Sequence, residues 1–167
     1  MDQPYRVLFV CLGNICRSAL AEGVLRKRVE EAGLAGRVEI ASVGTGDWHV
    51  GKPPDRRMCA TARARGVEIE GQRARQLRPR DLRDHDLVLA MDRSNLANAR
   101  AIAPSQEEAA RVTLFRDFDP EPDGDEVPDP YYEGQEGFEH VFEIVDRTCR
   151  ALVAELRRRI DAPAGGR

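Results

Sequence analysis

Cys11 and Arg17, with five residues between them, are the pair in this sequence whose types and spacing suit chemistry on an anion. An apolar, β-branched run from Arg6 to Val10 ends at Cys11, and a helical pattern of Leu20, Ala21, Val24, Leu25 and Val29 follows Ser18. A thiol at the carboxyl end of a buried strand, before a turn with Gly13 and Asn14, stands where open α/β sheets bind ligands. The backbone N–H groups of such a loop point inward as a nest, and the helix adds its positive end, so the concavity prefers an anion such as phosphate. The planar fork of Arg17 can close over two oxygens of that anion. The same field favours thiolate over thiol. Ser18 has two jobs open to it, capping the helix or hydrogen-bonding the sulfur.

The run Cys11-Leu12-Gly13-Asn14-Ile15-Cys16-Arg17-Ser18 resembles the phosphate loop of the low-molecular-weight protein tyrosine phosphatases, C-x5-R-[ST] with Gly, Asn and a second Cys inside. Asp129-Pro130-Tyr131-Tyr132 likewise resembles that family's general-acid segment. The resemblance implies a cysteine-dependent phosphomonoester hydrolase acting on protein phosphotyrosine through a phosphocysteine. It makes Cys11 the nucleophile, Arg17 the oxyanion clamp and Asp129 the proton donor. Leu12, Gly13, Asn14, Ile15, Cys16, Ser18, Trp48, Tyr131 and Tyr132 become the substrate-binding set. Trp48 offers a flat apolar wall to an aromatic leaving group, or else pins its own loop to the core. Two residues depart from the family pattern: Ala19 stands where proline usually follows the serine, and Gln72 where a histidine usually braces the loop asparagine. Asp92 resembles an aspartate that supports the loop from behind, with a plain helix cap as the alternative.

These residues need strands and helices to present them. Helices are expected from Ser18 to Ala32, stopped by Gly33, and from Asp55 to Arg65, stopped by Gly66. Others are expected from Asp92 to Ile102, over Gln106 to Arg111 and from Phe138 to Ile160. Strands are expected at Arg6 to Val10, Val38 to Ser42, Leu87 to Met91 and Val112 to Phe115, with Val67 to Glu70 extended. Alternation of this kind predicts an α/β, doubly wound fold with a central parallel sheet of about four strands flanked by helices and a phosphate-binding loop after the first strand. Arg116 to Gln135 reads as a long, acidic, proline-rich loop.

Composition narrows the remaining classes. The 167 residues suit a single domain, 1–167, and 41% hydrophobic with 33% charged content reads as globular. The apolar run Val7 to Leu12 is too short to span a bilayer, and the start Met1-Asp2-Gln3-Pro4 is not basic, so a cytoplasmic monomer with no membrane partner is expected. A net charge of -3 disfavours a nucleic-acid surface, and the cluster Arg73, Arg75, Arg78, Arg80 and Arg83 reads as a solvated face. The spacing of Cys11, Cys16, Cys59 and Cys149 fits neither a disulfide framework nor a zinc site, and the chemistry requires no metal or cofactor.

Cys16 is not needed for phosphoryl transfer. It is either a small packing residue or a thiol that captures an oxidised Cys11 as a reversible disulfide, making the enzyme redox-sensitive. Two rivals share the loop. Thioredoxin-linked arsenate reductases need relay cysteines that the region around Ala90 lacks, and arginine phosphatases of this fold tend to carry a small polar residue where Ile15 stands.

Overall fold

The computed structural model describes residues 3–121 and 123–162; Met1 and Asp2, on which part of the reading of the chain start rests, lie outside them. Strand β1 (Tyr5–Cys11) buries every residue but Arg6, as a central strand covered on both faces must. With β2 (Val38–Gly44), β3 (Leu87–Ala90) and β4 (Val112–Leu114) it forms a wholly parallel sheet of order β2-β1-β3-β4. Cys11 stands opposite Gly44, Val10 opposite Ala90, and Ala90 opposite Leu114, so the carboxyl ends of all four strands share one edge.

Alternate residues of β1 feed two cores. Val7, Phe9 and Cys11 pack beneath α1 (Arg17–Glu31) and α6 (Gln135–Asp161), while Leu8 and Val10 join Leu82 of α3 (Pro79–Asp84) and Ala99 of α4 (Arg93–Ala101). This is the doubly wound architecture expected. Gly33 and Gly66 take φ of +76° and +81° beyond α1 and α2 (Arg56–Ala64), where a left-handed residue ends a helix. Helix α5 (Gln106–Ala110) leads into β4.

Three stretches hold more than the sequence implied. The segment from Arg73 to Arg83 exposes Arg73, Arg78, Arg80 and Arg83, as expected. It contains α3, with Pro79 in the first turn and the buried Asp81 accepting both Arg78 N–H (2.7 Å) and Arg75 Nη1 (3.0 Å). The extended Val67 to Glu70 joins no strand; Val67 and Ile69 instead cover Gly23 of α1.

The loop after β4 also differs from the expected acidic span. It opens in a 3-10 turn (Phe115–Phe118), and Arg116 and Asp119 turn inward, their side chains 4% and 0% exposed. Arg147 of α6 donates from Nε and Nη2 to the two Asp119 oxygens, each at 2.9 Å, and Arg116 Nε reaches Oδ2 at 3.1 Å.

The hydrogen bonds from Arg147, against the opposing cost of burial and with help from Glu121 N–H and Arg116, hold the Asp119 carboxyl down at about 2. A depressed carboxyl contributes stability that is full above its unfolded value and is lost as pH falls through the folded one. Denaturant unfolding from pH 7 to pH 2 should therefore show wild-type stability falling by about 2–3 kcal/mol from this group between roughly pH 4 and pH 2. Asp119→Asn should be less stable at pH 7 and flatter over that window; equal slopes in both proteins would remove the ion cluster from the stability of the fold.

Candidate active site

Strand β1 delivers Cys11 to the sheet edge, and the end of β2 forms the floor under the loop that follows. A Cβ on Gly44 would lie 2.8 Å from Leu12 O and 3.0 Å from Asn14 N, so only glycine lets the two backbones approach this closely. The carbonyls of the loop are turned outward: Cys11 O accepts from Thr45 N, Leu12 O from Gly46 N, Ile15 O from Asp55 N and Cys16 O from Leu20 N, at 2.8–2.9 Å. The N–H groups of Gly13, Ile15 and Cys16 find no partner among the described residues. Outward carbonyls and inward amides make the nest that the sequence implied.

Asn14 holds this curvature. It is the non-glycine residue with positive φ (58°) among those described, a conformation asparagine tolerates better than most. Its amide donates to Ser18 Oγ (2.8 Å) and Ser42 Oγ (3.0 Å), while its Oδ1 accepts Arg75 N–H (3.0 Å). Ser42 Oγ donates its own hydrogen bond to Glu22 Oε1 at 2.7 Å. Gln72 braces only at one remove, its Oε1 3.5 Å from Ser42 Oγ and its Nε2 donating to Ala19 O.

The sulfur of Cys11 lies 3.0 Å from Ser18 Oγ and 3.3 Å from Asn14 N–H. Since Ser18 Oγ already accepts from Asn14, its single proton is free for the sulfur, with Val43 O at 3.4 Å the longer alternative. Two donors converging on one sulfur suit a thiolate. Ser18 caps nothing: α1 starts at Arg17 without a side-chain cap, which resolves the choice left open by the sequence.

Arg17 is buried, its side chain 4% exposed. Its Nη1 donates to Asp92 Oδ2 (2.7 Å) and Val127 O (3.0 Å), while Nε and Nη2 make no hydrogen bond among the described residues. Burial works against its charge, but Cys11, Asp92 and Asp129 more than offset this and hold the guanidinium above its ordinary value. Asp92 does both jobs considered for it, because its other oxygen, Oδ1, caps α4 by accepting Asn95 N–H at 2.7 Å.

Across the cavity stands Asp129, with Oδ2 3.7 Å from Arg17 Nη2 and Oδ1 accepting Tyr131 N–H at 3.0 Å. The cavity is about 320 Å³ and is lined by Cys11, Leu12, Gly13, Ile15, Cys16, Arg17, Trp48, His49, Asp129, Tyr131 and Tyr132. Asn14 and Ser18, from the expected substrate-binding set, lie behind the loop rather than on this lining. Trp48 is 65% exposed and stands on the cavity lining, so it does not pin its loop to the core. Tyr132 is 95% exposed and meets Tyr131 edge to face at 4.9 Å.

Sequence reasoning missed His49, whose ring covers Gly13 and faces Tyr131 with centroids 6.5 Å apart; its place next to Trp48 was the available signal. Cys16 is buried on the same lining. Burial first, then the charges of Asp55, Cys11 and Asp129, push its thiol far up.

A family model described as low molecular weight phosphotyrosine protein phosphatase matches residues 6–162. A low molecular weight protein-tyrosine-phosphatase of Streptomyces coelicolor is 44% identical over 162 residues, 96% of this chain and 98% of that one. Among solved structures, YfkJ from Bacillus subtilis superposes with a TM-score of 0.89 at 36% identity, covering 94% of this chain and 97% of its own. Vibrio vulnificus Wzb, solved in complex with benzylphosphonate, gives 0.79 at 28% identity, covering 90% and 98%. The loop of outward carbonyls and the match across nearly the whole chain agree: the chain belongs to the low molecular weight phosphotyrosine protein phosphatase family.

Proposed function

We propose that this protein hydrolyses phosphotyrosine in proteins, with Cys11 as nucleophile, Arg17 as clamp and Asp129 as general acid. The observation that carries the reading is that these three side chains, 118 residues apart at the extremes by the difference between positions 129 and 11, line one cavity with aromatic walls. The inward amides take the phosphoryl oxygens, and the free Nε–Nη2 edge of Arg17 takes two of them in parallel. Trp48, Tyr131 and Tyr132 then flank the ring. Benzylphosphonate, held by the similar Wzb, is a ring of that size joined through one carbon to a phosphonate.

Cys11 attacks phosphorus in line: an S–P bond forms, the P–O bond to the ring breaks, and Asp129 gives its proton to the departing phenolate. Water then attacks the phosphocysteine and yields its proton to Asp129, and the S–P bond opens to release phosphate and restore the thiolate. General acid catalysis supplies roughly 10²–10⁴-fold. The far larger remainder of a monoesterase's acceleration rests on the amides and Arg17, which stabilise charge on the equatorial oxygens. Ile15 and the tyrosine pair favour an aryl phosphate over the arginine phosphate of the rival reading. The buried Cys59, on α2, is poorly placed as the relay of the arsenate reductase reading. All four cysteines are free thiols, which supports a reducing, cytoplasmic setting, and no described helix is long and apolar enough to cross a membrane.

Three outcomes test this reading. Cys11→Ser should lose steady-state turnover of an aryl phosphate yet still bind inorganic phosphate in a titration; retained turnover would remove the nucleophile. Asp129→Ala should slow substituted phenyl phosphates in proportion to the basicity of the leaving phenolate, measured as kcat/KM, whereas equal losses across the series would remove the acid. Peroxide should convert Cys11 to a sulfenic acid that the Cys16 thiolate displaces, forming the S–S bond and releasing hydroxide. Because the Cys16 thiol is pushed up, disulfide formation should quicken as pH rises, about tenfold per unit while the thiolate is scarce. After dithiothreitol, wild type should recover and Cys16→Ala should not; equal recovery would reduce Cys16 to packing.

A further inference from the structure

Asp129 is itself poorly held. Its carboxylate is 45% exposed, and it sits between two prolines on a long connection between β4 and α6. An exposed side chain on such a loop places a proton accurately only if the backbone before it is fixed. The fixing is visible at residues 126 and 127. Arg116 Nη1 donates to Glu126 O (2.9 Å), Val127 N donates to Met91 O (2.8 Å), and Val127 O accepts from Arg17 Nη1 (3.0 Å). Three consecutive backbone groups are thus tied, and Pro128 carries that position stiffly to Asp129.

The tie to Glu126 is only as firm as Arg116. That guanidinium is buried and held from its far side by Asp119 (Nε to Oδ2, 3.1 Å) and by Asp123; Asp119 is gripped in turn by both donors of Arg147 at 2.9 Å. A buried ion cluster contributes little net stability compared with apolar packing of the same volume, so its clearest effect is to fix geometry. Two guanidinium groups and two carboxylates balance, and the Arg147–Asp119 pair is bidentate, while Arg116 bonds one Asp119 oxygen and the more exposed Asp123.

We propose that Arg147, on α6 and outside the cavity lining, is a positioning residue for the general acid, acting through Asp119, Arg116 and the Glu126 carbonyl. The proposal rests on Asp129 being the acid. Loosening Arg147 frees Arg116, lets residues 126–129 drift, and misplaces the proton relative to the departing oxygen. The bonds that shape the loop at Cys11, Asn14 and Ser18 do not run through the cluster, and Arg17, whose Nη1 also bonds Val127 O, keeps its bond to Asp92 Oδ2.

The experiment compares full-length wild type with Arg147→Lys, which keeps charge but loses the bidentate grip, and Arg147→Gln. It reads kcat/KM over phenyl phosphates of graded leaving-group basicity, inhibition by inorganic phosphate, and the thermal midpoint. For phenyl phosphate itself, kcat/KM should fall about tenfold, a part of the roughly 10²–10⁴-fold that a general acid supplies. For dinitrophenyl phosphate, whose leaving group needs no proton, it should change less than about twofold. Phosphate inhibition should be unchanged, and adding Arg147→Gln to Asp129→Ala should cost nothing further for any substrate. A loss equal across the series, or one that persists in the Asp129→Ala background, would mean a merely structural role and would overturn the proposal, as would no loss at all. If Asp129→Ala itself shows no dependence on leaving group, the acid assignment fails first. If Asp129→Ala shows that dependence and the Arg147 variants do not, only the positioning role fails.

Discussion

The guanidinium of Arg17 is the point on which the rest of the site depends. A buried cation is costly unless paired, and Arg17 is hydrogen-bonded on one edge only, by the carboxylate that begins α4 and by the Val127 carbonyl, with Asp129 a longer ion pair at 3.7 Å from Nη2. That edge belongs to the fold, while the other edge, Nε and Nη2, faces the cavity and belongs to the chemistry. Planarity makes the division strict, because fixing two bonds at Nη1 fixes the plane in which the remaining donors lie. A lysine has no second edge to offer.

The same economy of atoms explains why alternatives that the sequence presents as exclusive are not always so. A carboxylate has two oxygens. Asp92 spends one on Asn95 N–H at the start of α4 and the other on Arg17, so cap and support are one residue's simultaneous work. A serine hydroxyl has only one proton. Ser18 accepts from Asn14 and has its one proton to give, with the Cys11 sulfur at 3.0 Å nearer than Val43 O at 3.4 Å, and the helix begins without a side-chain cap.

Most of the fold was legible because its strands are short, apolar and regularly interrupted by helices with recognisable ends at Gly33, Asp55, Gly66 and Asp92. The residues proposed as nucleophile, clamp and acid stood out because each sits in a local run, Cys11 to Ser18 and Asp129 to Tyr132, that carries its own context. Local pattern was insufficient where the deciding contact is remote. Arg116 and Asp119 look like surface charges until Arg147, 28 residues beyond Asp119, arrives from α6. Helix α3 is six residues long, too short for periodicity, although Pro79 and Asp81 were its terminal signals. At position 72, where the family's histidine usually braces the asparagine, the glutamine makes no bond to Asn14 and comes only within 3.5 Å of Ser42 Oγ, which Asn14 does bond.

The bond between Arg17 and the carbonyl of Val127 spans 110 positions. During synthesis β1, the phosphate loop and α1 emerge from the ribosome long before the segment that completes the clamp, and the cluster beneath the acid waits longer still for residue 147 of α6. Such long-range closures are entropically late events in folding. A chain that ends before residue 127 lacks the carbonyl that takes one Arg17 N–H, and until α6 is made Asp119 lacks its two bonds from Arg147.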